Sequence, residues 1–295
     1  MLTTTKSMLK RAQKEGYAVG AFNTSNLEFT KAIVLAGVKL NSPLIIQTSQ
    51  KAIKYGGLEE LCVLIKTTAK KEKIPIALNL DHGTDLDLIK KCLALGYTSI
   101  MFDGSRLDFK KNINLTKKVV SLAKGIPVEA ELGILKEKSD SLTEPGQAAE
   151  FVEKTGIGSL AVAIGTSHGA YKFRGKPKID LKRLAEIEKL VSVPLVLHGA
   201  SGVQAEYVNL ANKYGAKLKH TQGVPDSQIR KAIKLGICKI NIDTDLRITF
   251  NAAIRKFLWQ TPDVFDTREI LGFAIQEMQK VVEKKIKLFG SGNKG

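Results

Sequence analysis

Short apolar runs recur along the chain, and segments with apolar residues at helical spacing lie between nearly all of them. The runs predicted as strands are 18–23, 43–49, 75–82, 99–105, 127–133, 159–168, 194–201 and 238–244. Near-continuous apolar strands that alternate with helices indicate parallel strands covered on their faces. Eight such units in 295 residues predict an α/β fold, a (β/α)8 TIM barrel, with a doubly wound sheet as the alternative. No GxGxxG motif follows a strand to support that alternative.

Both ends of the chain have helical patterns. The segment 245–260 and the segment 267–290 predict two additional C-terminal helices, one of which would pack outside the barrel or against another subunit. The N-terminal segment predicts an amphipathic helix and lacks the apolar region of a signal peptide, so we expect a cytoplasmic protein without a membrane segment. No linker rich in Pro, Gly or Ser divides residues 1–295, which predicts a single domain.

Polar residues cluster where the predicted strands end. They are Asn23, Ser49, Asp81, His82, Asp103, Glu131, His168, His198, Asn241 and Asp243. In a barrel these ends meet at one mouth, where active sites lie. Any one of the histidines is more often a hydrogen-bonded structural residue, but three at one mouth favour a ligand set for catalytic Zn²⁺. The fourth, His220, follows no strand and is interpreted as a surface residue.

Two carboxylates and two loops add to this picture. Asp103 and Glu131 would orient the imidazoles or hold the metal in an alternate position, unless they only cap the following helices. The segments HGASGV and NIDTDL offer small residues, hydroxyls and backbone N–H groups after the last two strands, which is typical of phosphate sites. The net charge of +17 suits anionic partners. Because aromatic residues do not interleave with the basic ones, nucleic acid is not expected to be the partner.

The three cysteines stand far apart in apolar segments without a CxxC motif, so they are interpreted as buried thiols. The sixth strand has no lysine, which argues against an enzyme that forms a Schiff base there.

The segments AFNTSN, NLDHG, MFDGS, VEAELG, AVAIGTSHGAYK, LVLHGASGV and KINIDTDLR resemble, in order, the motifs of class II fructose-bisphosphate aldolases. The similarity covers nearly the whole chain. It implies a catalytic Zn²⁺ held by His82, His168 and His198, with Asp81 as the proton-transfer group. Asp103 and Glu131 match the carboxylates for a second or alternate metal position.

The resemblance also implies a binding site for a sugar bisphosphate. The residues that match its phosphate-binding positions near the metal are Gly169, Lys172, Gly199, Ser201, Asn241 and Thr244. A monovalent cation, Na⁺ or K⁺, is expected close by. Asp243 matches a contact to substrate hydroxyls, and Asn23 and Ser49 match pocket positions. Arg247 and Arg268 match basic residues for the distal phosphate, the latter supplied by a neighbouring subunit, which implies a homodimer or homotetramer.

The chain departs from the family pattern after the fifth strand, where it reads ELGILKEKSDSLTEPGQ in place of a glycine-rich acidic loop. Glu137 and Asp140 are the candidates for the loop acid of the family. Within the family, a tagatose 1,6-bisphosphate aldolase remains the alternative to a fructose 1,6-bisphosphate aldolase. In NLDHG, adjacent strand residues would point to opposite faces, so we expect a turn at Gly83 that lets Asp81 and His82 both face the mouth.

Overall fold

The computed structural model describes residues 1–133, 142–166, 179–219 and 223–295. The strands in this part of the chain are β1 (Val19–Asn23), β2 (Leu44–Ser49), β3 (Ile76–Gly83), β4 (Ser99–Phe102), β5 (Val128–Leu132), β6 (Ser159–Val162), β7 (Leu195–Leu197) and β8 (Ile237–Ile242). The helices are α1 (Thr5–Glu15), α2 (Leu27–Lys39), α3 (Gln50–Gly56), α4 (Leu58–Lys70), α5 (Leu86–Ala94), α6 (Phe109–Leu122), α7 (Pro145–Thr155), α8 (Leu181–Leu190), α9 (Ala205–Lys213), α10 (Asp226–Lys234), α11 (Thr244–Gln260) and α12 (Thr267–Phe289).

The strands form a closed parallel barrel in the order β1 to β8, and β8 pairs with β1 to complete it. Each strand is buried along nearly its whole length, because helices cover the outer face and side chains fill the interior. The predicted (β/α)8 TIM barrel is therefore confirmed.

Polar side chains fix the points at which several helices begin. Asn26 accepts a hydrogen bond from the backbone N–H of Phe29 at the start of α2, and Asp108 accepts one from that of Lys111 at the start of α6. These caps satisfy N–H groups that have no partner within the helix. At the other end of α12, Gly290 takes a φ of 74°, a conformation that glycine adopts without strain.

The terminal helices lie where the sequence patterns predict them. Met8, Leu9 and Ala12 of α1 are buried in one cluster with residues of β1, β2, β3 and β8 such as Val19 and Ile45. The C-terminal helix α12 packs against α2 and α11. None of the helices in the described part of the chain is both long and apolar enough to cross a lipid bilayer.

Several strands end earlier than the apolar pattern predicts. β4 ends at Phe102 rather than at 105, β7 ends at Leu197 rather than at 201, and β8 ends at Ile242 because α11 begins at Thr244. The residues beyond these ends form the loops of the barrel mouth. Their apolar and small side chains resemble a strand in sequence, but their backbone has left the hydrogen-bonded ladder.

Candidate active site

Asp81 lies at the end of β3, and its side chain is held by two amides from neighbouring strands. Asn23 Nδ2 donates to Asp81 Oδ2 at 2.7 Å, and Asn241 Nδ2 donates to Asp81 Oδ1 at 3.0 Å. Asp81 is 5% exposed and lines the cavity at the mouth. Both oxygens therefore face donors that carry no charge.

A second layer of amides supports Asn23. Gln47 Nε2 donates to Asn23 Oδ1 at 2.7 Å, and Asn79 Nδ2 donates to Gln47 Oε1 at 3.2 Å. Gln47 and Asn79 are fully buried inside the barrel. Because Gln47 and Asn23 each accept through the amide oxygen and donate through the NH₂, the chain of bonds orients the Asn23 NH₂ toward Asp81.

His82 departs from strand geometry. Its φ is 50°, in the left-handed region, and the register between β3 and β4 shifts between Leu80 and Gly83. Asp81 and His82 both reach the mouth because the backbone changes direction at His82 itself, so the predicted turn at Gly83 is wrong. Gly83 is needed for a different reason: a Cβ there would lie 2.8 Å from the carbonyl oxygen of Met101. Strain of this kind often marks functional sites.

Carboxylates surround the His82 imidazole. Its Nδ1 lies 2.7 Å from Asp103 Oδ2 and 3.7 Å from Glu131 Oε2, and its Nε2 lies 3.9 Å from Asp81 Oδ1. Burial lowers the pKa of His82, but the charge of Asp81 and the hydrogen bond and charge of Asp103 outweigh it and raise the pKa to about 10. The three carboxylates around this imidazole also suit a bound cation.

His198 lies just beyond β7 and is fully buried between two glutamates of β5. Its Nδ1 is 3.1 Å from Glu131 Oε2, and its Nε2 is 2.8 Å from Glu129 Oε1. Lys239 of β8 donates to Glu129 Oε2 at 2.8 Å, and its side chain is fully buried. Burial would raise the pKa of Glu129, but Lys239 and His198 lower it to about 2.

The charge state of Asp81 follows from the same neighbours. Burial would raise the pKa of Asp81, but the charges of His82, His198 and Lys239 and the hydrogen bond from Asn23 lower it. Asp81 is thus held as a carboxylate.

Two groups of side chains in the described residues have the composition and spacing of a metal site. In the first, Asp81, His82 and His198 each offer a ligand atom within 4.8 Å of the others. In the second, His82, Asp103 and Glu131 do the same. Imidazole nitrogens and carboxylate oxygens are ligands that Zn²⁺ accepts. The donor set is therefore compatible with the predicted metal, and the second group contains the two carboxylates predicted for an alternate position.

A cavity of about 830 Å³ opens over these residues. The predicted site residues that line it are Asn23, Ser49, Asp81, His82, Asp103, Glu131, Gly199, Ser201, Asn241, Asp243, Thr244 and Arg247. This volume lies within the usual range for small-molecule sites. The structure thus brings most of the predicted residues together around one cavity.

The loop after β7 is held from below by a buried ion pair. Asp245 accepts hydrogen bonds from the backbone N–H groups of Gly202, at 3.0 Å, and Val203, at 2.7 Å. Lys285 of α12 lies 2.9 Å from the same carboxylate. Val203 has a φ of 42°, which is strained for a β-branched residue. The ion pair fixes the loop that carries Gly199 and Ser201.

The remaining predicted residues divide into two sets. His168, Gly169, Lys172, Glu137, Asp140 and His220 lie outside the described residues. Arg268 lies at the start of α12 with its side chain 88% exposed, and its guanidinium pairs with Asp266 at 2.6 Å. Arg268 is not among the described residues that line the cavity of its own chain. Cys62, Cys92 and Cys238 are free and buried, as predicted.

Sequence reasoning missed the polar residues beneath the site, namely Gln47, Asn79, Glu129 and Lys239. Each lies two residues before a predicted site residue on the same strand, so it faces the same interior. A polar or charged residue at that spacing inside an apolar strand was the available signal. Asp245 and Lys285, which fix the loop, had no comparable signal.

Comparison with known proteins bears on the whole chain. Residues 3–294 match the family model described as fructose-bisphosphate aldolase class-II. The chain belongs to this family. The predicted resemblance is therefore confirmed, and class II aldolases are metal-dependent carbon–carbon lyases.

Individual relatives of this aldolase extend over the full length. A fructose-bisphosphate aldolase of Thermus caldophilus is 47% identical over 99% of both chains. One from Helicobacter pylori is 44% identical over 100% of both. Among solved structures, the YdjI aldolase of Escherichia coli K12 matches with a TM-score of 0.84 and 33% identity, and it covers 100% of this chain and 99% of its own.

Proposed function

We propose that the protein is a cytoplasmic, zinc-dependent enzyme that cleaves fructose 1,6-bisphosphate reversibly to dihydroxyacetone phosphate and glyceraldehyde 3-phosphate. Its relatives from Thermus caldophilus and Helicobacter pylori carry the name of that activity. The observation that carries the proposal is the convergence of Asp81, His82 and His198 within 4.8 Å beside one cavity, which Asp81 and His82 line.

In this proposal Zn²⁺ is held by His82, His168 and His198, and it supplies a Lewis acid that polarises the substrate carbonyl. Asp103 orients the His82 imidazole by a hydrogen bond at 2.7 Å or, together with Glu131, holds the metal in an alternate position. Glu131 Oε2 lies 3.1 Å from His198 Nδ1, close enough to share a metal bound there.

Asp81 removes the proton from the C4 hydroxyl as the C3–C4 bond breaks. The electron pair of that bond passes to the three-carbon fragment as an enediolate, which then takes up a proton at C3 from the loop acid, for which Glu137 and Asp140 are the candidates. The lowered pKa of Asp81 keeps it ionised and ready to accept the hydroxyl proton. The amides of Asn23 and Asn241 fix both of its oxygens without neutralising them. A general base placed in this way contributes typically ~10²–10⁴-fold to a rate.

The substrate phosphate nearer the metal is assigned to the loops after β6, β7 and β8. The residues proposed for it are Gly169, Lys172, Gly199, Ser201, Asn241 and Thr244, with Na⁺ or K⁺ close by. Thr244 is the first residue of α11, so backbone N–H groups and the positive end of a helix dipole support an anion there.

Substrate hydroxyls and the distal phosphate occupy the outer part of the cavity in this proposal. Asp243 contacts the hydroxyls and Arg247 the distal phosphate, with Arg268 supplied by a second subunit. Two features support that last assignment: Arg268 is exposed, and it is absent from the cavity lining of its own chain in the described residues. The active unit would then be at least a homodimer.

A lysine Schiff base offers no competing mechanism at Lys239. Its Nζ is fully buried and lies 2.8 Å from Glu129 Oε2, beneath the cavity floor. A nucleophilic lysine needs access to the substrate carbonyl and a neutral amine, and neither condition fits this ion pair.

The decisive experiment measures cleavage of fructose 1,6-bisphosphate and tagatose 1,6-bisphosphate, each with and without a chelator. We expect cleavage of the fructose compound, loss of activity on chelation and recovery with added Zn²⁺. Faster cleavage of tagatose 1,6-bisphosphate would instead identify that compound as the substrate. Activity that survives exhaustive chelation, or a substrate adduct trapped by borohydride, would contradict the metal mechanism.

A further inference from the structure

The buried ion pair between Glu129 and Lys239 lies directly beneath His198 and has no part in the proposed chemistry. Glu129 and Glu131 are two residues apart on β5, so both face the barrel interior but at successive depths. Both are almost fully buried, but Glu131 is among the described residues that line the cavity and Glu129 is not. The His198 ring stands between these depths, with Nδ1 toward Glu131 and Nε2 toward Glu129.

Donor and acceptor chemistry then decides where the His198 proton lies. The ammonium of Lys239 can only donate, so Glu129 Oε2 accepts from it at 2.8 Å. The remaining oxygen, Oε1, also accepts at 2.8 Å, so a hydrogen must sit on Nε2. On the other side of the ring, Glu131 Oε2 lies 3.1 Å from Nδ1 and would likewise bond a proton there, which a metal bound at Nδ1 replaces. In a neutral imidazole with a proton on Nε2, the lone pair is on Nδ1, which is the nitrogen on the side of Glu131, a residue that lines the cavity.

We propose that Glu129 and Lys239 form a positioning pair that holds His198 in the Nε2–H tautomer and thereby directs its Nδ1 lone pair to the metal. The inference rests on the proposed metal site and goes beyond it, because it assigns a role to two residues that touch neither metal nor substrate. Lys239 orients Glu129 by occupying one oxygen, and Glu129 orients His198. Partners of this kind are typically worth 10–100-fold in metal affinity.

The substitution Glu129→Gln makes a sharp test because Lys239 is retained. The ammonium can bond only to the glutamine oxygen, which turns the glutamine NH₂ toward His198 Nε2. That arrangement favours a lone pair on Nε2 and a proton on Nδ1, the wrong tautomer for metal binding. The double variant Glu129→Gln with Lys239→Met frees the glutamine oxygen to face His198 again.

The measurements are the zinc dissociation constant, from competition with a chelator, and the ¹⁵N shifts of the His198 ring. We expect zinc on Nδ1 and a proton on Nε2 in the wild type. Glu129→Gln should weaken zinc binding 10–100-fold and move the proton to Nδ1, and the double variant should restore affinity to within a few-fold. The control Thr48→Val removes another fully buried barrel hydrogen bond, to Tyr97 at 2.8 Å, and should leave zinc binding unchanged.

Each of three results would overturn the inference. They are unchanged affinity in Glu129→Gln, a double variant that binds as weakly as the single one, and wild-type zinc bound to Nε2 of His198. The last result needs no variant, so the test stands even if Glu129→Gln does not fold. A wild type that binds no zinc overturns the proposed function together with this inference. A zinc-dependent wild type with an unaffected Glu129→Gln variant overturns this inference alone.

Discussion

The two sides of the barrel interior hold their functional side chains in different ways. On the side of β1 to β3, Asp81 is held by a chain of hydrogen bonds between neutral amides, from Asn79 to Gln47 to Asn23. On the side of β5 to β8, His198 lies against Glu129, which is paired in turn with Lys239. One side is a chain of uncharged donors, and the other is a chain of alternating charges.

The difference corresponds to two chemical tasks. A base must keep a charge that can still take up a proton, and neutral amides orient such a carboxylate without forming an ion pair with it. A metal ligand must present one nitrogen in one protonation state, and a fixed carboxylate specifies that state more strongly than an amide, which has both a donor and an acceptor end. His82, with contacts to Asp81 and Asp103, lies between the two sides.

The largest effect is expected where the two sides meet. His82→Ala removes a proposed zinc ligand and leaves Asp103 without its imidazole partner. We therefore expect loss of both bound zinc and turnover, measured by metal analysis of the purified protein and by the cleavage assay. The control is His220→Ala, which removes a histidine with no proposed role. Full zinc content in His82→Ala would show that the metal is held elsewhere.

A smaller and more selective effect is expected from the amide side alone. Asp81→Asn keeps the shape but cannot accept the hydroxyl proton, so kcat should fall by ~10²–10⁴-fold while zinc content stays near that of the wild type. Asn241 can turn its amide, whose oxygen has no hydrogen-bond partner among the described residues, to accept from the new NH₂. The control Asp85→Asn changes the residue that caps the start of α5. It should keep full activity, because aspartate and asparagine are both good N-cap residues.

Loss of zinc in Asp81→Asn would contradict the division between the two sides. In that case Asp81 would act as a metal ligand, as its place in the first ligand group allows. Normal turnover in Asp81→Asn would indicate that Asp81 and His82 are ordinary residues at the end of a strand.

The barrel and the types of residue at its mouth could be predicted from the sequence for a definite physical reason. Parallel strands covered on both faces are near-continuous apolar runs, so the first polar residue after each run, such as Asp81 or His198, marks the mouth. The apolar pattern could not predict where each strand ends, because residues such as Gly199 and Ala200 occur equally in strands and in loops. Their backbone path depends on neighbours far along the chain, such as Asp245.

The supporting contacts could not be predicted because they join distant residues. Lys239 and Glu129 are 110 residues apart, and only closure of the barrel brings them together. The left-handed conformation of His82 depends likewise on the register between β3 and β4. Local patterns carry no information about either feature.

Binding of the distal phosphate should be separable from the chemistry on both sides of the interior. If Arg268 acts on a neighbouring subunit, Arg268→Ala should raise KM for the bisphosphate about 10-fold and change kcat little, since a charged hydrogen bond is worth about 1.5–3 kcal/mol. The matched control is Arg11→Ala on α1, another exposed arginine paired with a nearby carboxylate, that of Glu15 at 2.8 Å. A fully active monomer, shown by sedimentation during assay, would count against the role in a second subunit.

The smallest effect on activity is expected one step away from the base. Gln47→Leu removes the donor to Asn23 Oδ1 and the acceptor for Asn79, and it leaves both amides buried without those bonds. Buried polar groups left unpaired cost about 1–3 kcal/mol each, so the free energy of unfolding should fall measurably. Asn23 still faces a carboxylate that can only accept, so its NH₂ keeps its orientation and kcat should fall less than 10-fold. Urea unfolding and steady-state kinetics on the same preparation would separate the two effects. A loss of kcat as large as that of Asp81→Asn, at unchanged stability, would mean that the amide chain takes part in the proton transfer itself.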